Sequence, residues 1–215
     1  MRPADYQDLI ASPAYRQASR RVLRQLVEAL LFEHALPHCE WQGDALTVPG
    51  RGADGVPVNY RCRAQRTFSF GRVRLTSTLL REPDGGSAEE AADPALFLAE
   101  IVPWLEADEG RLKQFAAELL ATQIKDAQTL HARGGRILRD ADYDTVEARL
   151  TDGHPYHPSY KSRLGFTLDD NAAYAPEMAA VVRPLLIAVP RERCRWAVSP
   201  TRDGAGVAHA LLDDA

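Results

Sequence analysis

Residues 56–80 read VPVNYRCRAQRTFSFGRVRLTSTLL, and this stretch decides the fold class. Apolar side chains fall on alternate positions: Val56, Val58 and Tyr60, then Phe68 and Phe70, then Val73, Leu75 and Leu79, with Ser77 in step. Successive side chains of an extended chain point to opposite faces, so a period of two gives each segment one inward and one outward face. From Trp41 to Leu80 the pattern reads as an antiparallel meander punctuated by glycine-rich turns. Within it, Gly50-Arg51-Gly52-Ala53-Asp54-Gly55 has the spacing G-x-G-x-x-G, but the strand-like Val56-Pro57 follows. No helix N-terminus stands there to hold a pyrophosphate, and the segment reads as a turn.

Helical periods flank the meander. Upstream, from Ser12 to Ala35, Val22, Leu23, Leu26, Val27, Leu30 and Leu31 recur at helical spacing, while Arg16, Arg20, Arg21 and Arg24 fill much of the other face. Ser12-Pro13 supplies an N-cap and a first-turn proline, and Pro37 stops the pattern. The arginine row reads as a solvated helix face, with a phosphate-binding row as the alternative. Downstream, Glu82 to Asp93 contains Pro83, Asp84, Gly85, Gly86 and Ser87 and reads as a flexible connection. Helices are expected at Pro94 to Leu105, at Glu109 to His131 with Gly134-Gly135 ending it, and at Asp142 to Leu150. The fold class is therefore α+β. A helical and antiparallel-strand portion occupies residues 1–90, a mainly helical segment 91–190 ends in a loop at 153–177 and a terminal strand near Leu185 to Val189, and a divergent tail spans 191–215.

Composition narrows the function classes. A chain of 215 residues, 45% hydrophobic and 26% charged, can bury an ordinary core. A net charge of −4 gives no overall field to attract a phosphate backbone, so nucleic acid is not an expected partner. The N-terminus lacks the apolar core of a signal peptide, and no apolar run reaches the roughly 18 residues a membrane span needs, so no membrane partner is expected. Cys39, Cys62 and Cys194 have no close spacing for zinc or a disulfide framework, which fits a reducing cytoplasm.

Residues 153–177 differ from everything before them: GHPYHPSYKSRLGFTLDDNAAYAPE. Pro155 and Pro158 bar a regular helix and display the intervening side chains from a restrained loop. Lys161 offers a compact positive charge, Arg163 a planar fork of donors, and His154 and His157 ring donors, a set suited to phosphate or carboxylate oxygens. The alternative is a polar loop with hydrated cations and histidines bonded to local backbone. A metal site is not expected, because H-x-x-H here is not the helical H-E-x-x-H pattern and no carboxylate or cysteine stands nearby to complete it. Pro176-Glu177 is expected to shape the loop's exit, with Glu177 accepting hydrogen bonds.

The run Gly153-His154-Pro155-x-His157-Pro158-x-x-Lys161-x-Arg163-x-Gly165, followed by Tyr174-Ala175-Pro176-Glu177, resembles the signature of aerobactin synthetases and their relatives, the IucA/IucC family of siderophore synthetases that work without a peptide-synthetase assembly line. That resemblance implies an ATP-dependent ligase. It would activate a carboxylate of citrate or a related polycarboxylate as an acyl-adenylate and pass the acyl group to an amine or hydroxyl, with Mg2+ accompanying the nucleotide. By motif position, His154, Ser159, Lys161 and Arg163 would face nucleotide phosphates and carboxylate substrate, and His157 and Glu177 would position the loop; no residue is assigned a catalytic role. Family members are considerably longer, so the chain is expected to be the N-terminal part of a synthetase. Its site would be completed by a C-terminal domain or by a second chain through self-association. A truncated gene, a frameshifted end and an isolated non-catalytic module that keeps ligand binding or self-association stay open. An unrelated histidine-dependent hydrolase is disfavoured, since no G-x-S-x-G elbow occurs.

Overall fold

In the computed structural model, helix α1 (Pro3–Ala11) leads into α2 (Pro13–Phe32) across Ser12, whose hydroxyl accepts from the Tyr15 amide while Pro13 opens the helix. The structure describes residues 3–66, 69–105, 107–133, 141–148 and 150–178, together with 183, 185, 187–193, 195 and 197. The chain divides into two compact units, Met1–Val181 and Val182–Ala215, and every described element except a short 3₁₀ turn at Arg191–Arg193 lies in the first. Phe68, Gly134-Gly135 and Cys194 fall outside the described residues.

Strands β1 (Glu40–Gln42), β2 (Ala45–Arg51), β3 (Pro57–Arg66), β4 (Val73–Leu75), β5 (Leu80–Pro83) and β6 (Glu89–Glu90) form one antiparallel sheet in the order β1-β2-β3-β5-β6, with β4 also on β3. The long β3 is the hub, because its first half pairs with β5 and its last three residues pair with β4. Register places Leu46 opposite Cys62, Val48 opposite Tyr60 and Gly50 opposite Val58. Those residues all point inward, as the period of two requires. The G-x-G-x-x-G segment is the β2–β3 turn, closed by the Gly55 amide on the Gly52 carbonyl.

The inward face of the sheet, with Tyr60 and Leu75, shares one core with Val22, Leu23, Leu26 and Val27 of α2 and with Phe97 and Ile101 of α3 (Pro94–Ile101). Helix α4 (Glu109–Arg133) packs along α2 and contributes Leu119. Helices α5 (Tyr143–Ala148) and α6 (Leu168–Tyr174) follow. Helices and antiparallel sheet together make the chain α+β. No helix among the described residues is long and apolar enough to cross a membrane.

Three local expectations change and a fourth is refined. Phe70 is not on a strand: it sits in a 3₁₀ turn (Ser69–Gly71) at φ 73° and is 91% exposed, because the chain must reverse between β3 and β4. Parts of the stretch 82–93 are strand: Glu82 and Pro83 pair with Asn59 and Val58 of β3, Glu89 and Glu90 pair with Arg81 and Leu80 of β5, and Asp93 caps α3 by accepting from the Ala95 and Leu96 amides. The arginine row of α2 faces solvent, as expected, but three of its four members are also ion-paired: Arg20 meets Glu90, Arg21 meets Asp126 and Asp152, and Arg24 meets Glu28 and donates to the Leu75 carbonyl, while Arg16 donates to the Ala11 carbonyl. Leu185, Ile187, Ala188 and Val189 are not in a strand, since an apolar run becomes one only where a neighbour accepts its ladder and no described strand does so.

Candidate functional site

The loop 153–167 is a chain of turns laid against α4. Two glycines explain its course. A Cβ on Gly153 would overlap the Tyr160 ring, so the loop's entry can lie flat on that ring only as glycine. Gly165 has φ 89° and occupies the third position of a turn closed by the Phe166 amide on the Arg163 carbonyl, where a left-handed residue is needed. Arg163 itself stands at φ 36°, a region that costs a residue with a Cβ about 1–2 kcal/mol. The exit is fixed by α6, whose Thr167 and Asp170 form a reciprocal capping box.

Four of the side chains singled out in the sequence lie on the inner side. Lys161, 3% exposed, donates to Asp126 Oδ1 at 2.7 Å and to the Thr151 carbonyl, and its Nζ lies 3.8 Å from Glu177 Oε1. Arg163 donates from Nη2 to both Glu177 oxygens at 2.8 Å and from Nη1 to Asn171 Oδ1 at 2.5 Å. Glu177, on a 3₁₀ turn (Pro176–Met178), is buried and serves both cations. Ser159 is buried and donates to Glu118 Oε2 at 3.2 Å.

The histidines lie on the outer side. His157 is exposed with Nδ1 3.3 Å from Ser159 Oγ, and His154 is exposed with Nδ1 accepting from the Tyr156 amide. Their ring centroids are 6.4 Å apart. The structure thus joins Lys161 to Arg163 through Glu177. His154 contacts Tyr156, His157 and Gln25 of α2, the last reaching the His154 carbonyl at a long 3.5 Å. Tyr156 closes the outer side by lying 3.6 Å over the Arg72 guanidinium, beside a cavity of about 190 Å³ that Glu28 and Phe32 also line.

The residues that hold this loop escape a reading of the loop alone. Asp126, Glu118, Gln128 and Lys125 all come from α4: Gln128 donates to the Leu168 carbonyl and accepts from Asn171, and Lys125 donates to the loop backbone. A signal existed in the sequence. The apolar stripe of α4 at Leu112, Phe115, Ala116 and Leu119 continues at the same spacing as Thr122, Gln123, Asp126 and Thr129, all four buried. Polar residues on a buried stripe must be met by polar partners elsewhere.

The charges respond to this burial. Burial, then the negative Asp126, pushes the Tyr160 hydroxyl far above its ordinary value. Burial, then the Arg163 cation, holds the Lys125 ammonium below the lysine range. For Arg21 burial acts downward, but Asp126, Tyr160 and Asp152 outweigh it and the guanidinium is raised. Among the described residues no group of three His, Cys, Asp or Glu side chains could hold a metal ion.

Residues 142–215 match the IucA / IucC family. The chain is 34% identical over 183 residues to a citryl-spermidine/3,4-dihydroxybenzoyl-citryl-spermidine:spermidine ligase of Bacillus anthracis, a match covering 83% of this chain and 30% of that protein. It is 33% identical to a 2-[(L-alanin-3-ylcarbamoyl)methyl]-3-(2-aminoethylcarbamoyl)-2-hydroxypropanoate synthase of Staphylococcus aureus, over 83% of this chain and 29% of that one. Its fold matches the crystal structure of the petrobactin biosynthesis protein AsbB from Bacillus anthracis with a TM-score of 0.70 at 33% identity, over 83% of this chain and 30% of that chain. The chain thus spans about 30% of the length of these relatives. With the signature, the family match and the fold in agreement, the chain belongs to the IucA/IucC family.

Proposed function

We propose that this chain provides the signature-loop segment of an ATP-dependent siderophore synthetase that condenses a citrate-type carboxylate with an amine or hydroxyl through an acyl-adenylate. The observation that carries the reading is the loop 153–165, which is rigidly seated on α4 yet leaves His154 and His157 exposed. His154, Ser159, Lys161 and Arg163 form the proposed nucleotide- and substrate-facing set, and His157 and Glu177 position it. The donor chemistry fits a polyanion: two exposed imidazoles need no rearrangement to donate, and the same loop carries a partly exposed guanidinium. Lys161 and Arg163 are neutralised by Asp126 and Glu177, so they meet a ligand oxygen only by exchanging those carboxylates. Mg2+ would arrive with the nucleotide phosphates, as a cation that keeps its waters and takes few protein ligands commonly does.

Of the relatives named above, one is a ligase of citryl-spermidine with spermidine and the other a synthase of a substituted hydroxypropanoate bearing carbamoyl groups, which supports a polycarboxylate substrate and an amine acceptor. Aligning a carboxylate with an α-phosphate while charge is stabilised takes more groups than one loop supplies, so the reaction is proposed for the assembled protein. The test is a chimera in which this chain replaces the matching part of the Bacillus anthracis relative. Citrate-dependent exchange of radiolabelled pyrophosphate into ATP, lost on His154→Ala, is the expected result. A folded chimera that binds ATP but exchanges nothing with any polycarboxylate would overturn the synthetase reading in favour of a non-catalytic binding module.

A further inference from the structure

Lys125 lies on α4 with only 4% of its surface exposed, and its ammonium donates to two backbone carbonyls, Ser162 at 2.6 Å and Arg163 at 2.7 Å. Among the described residues no carboxylate pairs with it, and the charge it feels most is the like charge of Arg163. A buried ammonium without a counter-ion is unfavourable unless its donors find acceptors, and here the two carbonyls take two of its three N–H groups. The reverse dependence also holds. In an extended chain successive carbonyls point to opposite sides, so two that meet one ammonium need a turned backbone, and Arg163 supplies it at φ 36°. The neighbouring Asp126 binds Lys161 from the same turn of α4, so consecutive helix residues grip positions 161, 162 and 163.

We propose that Lys125 is a positioning residue for the signature loop: by bridging the Ser162 and Arg163 carbonyls, its ammonium holds Arg163 in its left-handed backbone and so sets where the guanidinium points. With the backbone turned this way, the guanidinium reaches back to Asn171 and Glu177, and Gly165 can complete the following turn. Without the ammonium, the Ser162 carbonyl loses its donor, the Arg163 carbonyl keeps only the Phe166 amide, and the strained residue relaxes toward an extended conformation that swings the fork away from Glu177. The effect on ligand binding rests on the nucleotide reading above; the effect on the loop does not.

The experiment uses the full 215-residue chain with Lys125→Met, Lys125→Ala and Lys125→Arg. Hydrogen exchange of the peptide covering 159–167 is compared with that of strands β2 and β3, and MgATP affinity is measured by calorimetry. Lys125→Met is expected to speed exchange in 159–167 by about tenfold or more while β2 and β3 keep their protection. It also weakens MgATP binding by about tenfold, and Lys125→Arg recovers part of both. In Lys125→Ala, n-propylammonium restores loop protection and tetramethylammonium, which has no N–H, does not. If the neutral variants do not fold, refolding in these two cations gives the same comparison, and recovery in neither or equally in both overturns the proposal. Exchange that rises uniformly over the whole chain, or a loop that stays protected, also overturns it. A wild-type chain that binds no MgATP would sink the nucleotide reading alone, because the loop measurement still decides the role of Lys125.

Discussion

Lys161 Nζ and Asp126 Oδ1 stand 2.7 Å apart with 4% and 0% of their side chains exposed, so the signature lysine is half of a buried ion pair spanning 35 positions of sequence. Its second acidic neighbour, Glu177, is shared with Arg163. The pair sits where α2, α4 and the loop meet, with Arg21 3.3 Å from the other Asp126 oxygen. Losing one partner of such a pair leaves the other charge buried without compensation, which costs more than the pair contributes.

Asp126→Asn is therefore expected to destabilise the chain by about 3 kcal/mol. Lys161→Met should cost less, because Arg21 remains to face Asp126. The double variant should be more stable than the sum of the two losses implies. Urea unfolding of the four proteins checks this; strictly additive losses would show that the pair is not coupled.

Gly153→Ala places a methyl in the Tyr160 ring, and that ring is packed against the hydrophobic core and cannot yield freely. A loss of about 2–3 kcal/mol is expected, against about 1 kcal/mol for Gly165→Ala, which meets no atom but forces a Cβ into left-handed backbone. Thermal unfolding decides the order, and a milder Gly153→Ala would mean that Tyr160 moves.

Burial alone raises the Cys39 thiol to about 11, and burial is the first cause that raises Cys62 to about 11. Both should react slowly with iodoacetamide at pH 8 in the native chain, since the thiolate is the nucleophile. The sign for stability follows: the folded chain keeps these protons while the unfolded chain loses them near 9, so stability falls as pH rises from about 9 to about 11. Peptide mapping after alkylation and urea midpoints across that range are the checks. Flat midpoints in the wild type would contradict the shift.

Glu100 receives the Tyr60 hydroxyl at 2.5 Å and two strong bonds from Arg81, all at the centre of the sheet's inner face. Burial acts to raise its carboxyl, but the Arg81 and Tyr60 hydrogen bonds prevail and hold it below the ordinary value. A depressed carboxyl contributes stability above the unfolded value of 4.5 and loses it as pH falls through the folded value. Glu100→Gln should cost about 3 kcal/mol at pH 7 and flatten the acid limb of the stability profile; Tyr60→Phe should cost about 1–2 kcal/mol and leave most of that limb. An unchanged acid limb in Glu100→Gln would refute this assignment.

The sequence by itself determined a helix within Ser12 to Ala35, which folds as Pro13–Phe32, the alternation of β3 at Val58 and Tyr60, the α+β class and the family signature at 153–177. These are legible because caps, prolines and periods of two or 3.6 act within a few residues and follow from backbone geometry. Tertiary structure alone decided what the signature side chains touch. Nothing near Lys161 in sequence names Asp126, nothing near Ser162 names Lys125, and Gly153 is explained only by a ring seven positions on. It also left Phe70 in solvent despite its place in the alternation, and left the apolar run at 185–189 without a described strand partner. A pattern shows that a side chain is to be buried or a strand paired, but the partner comes from chain segments brought together by folding, and their distance in sequence is unrelated to their distance in space.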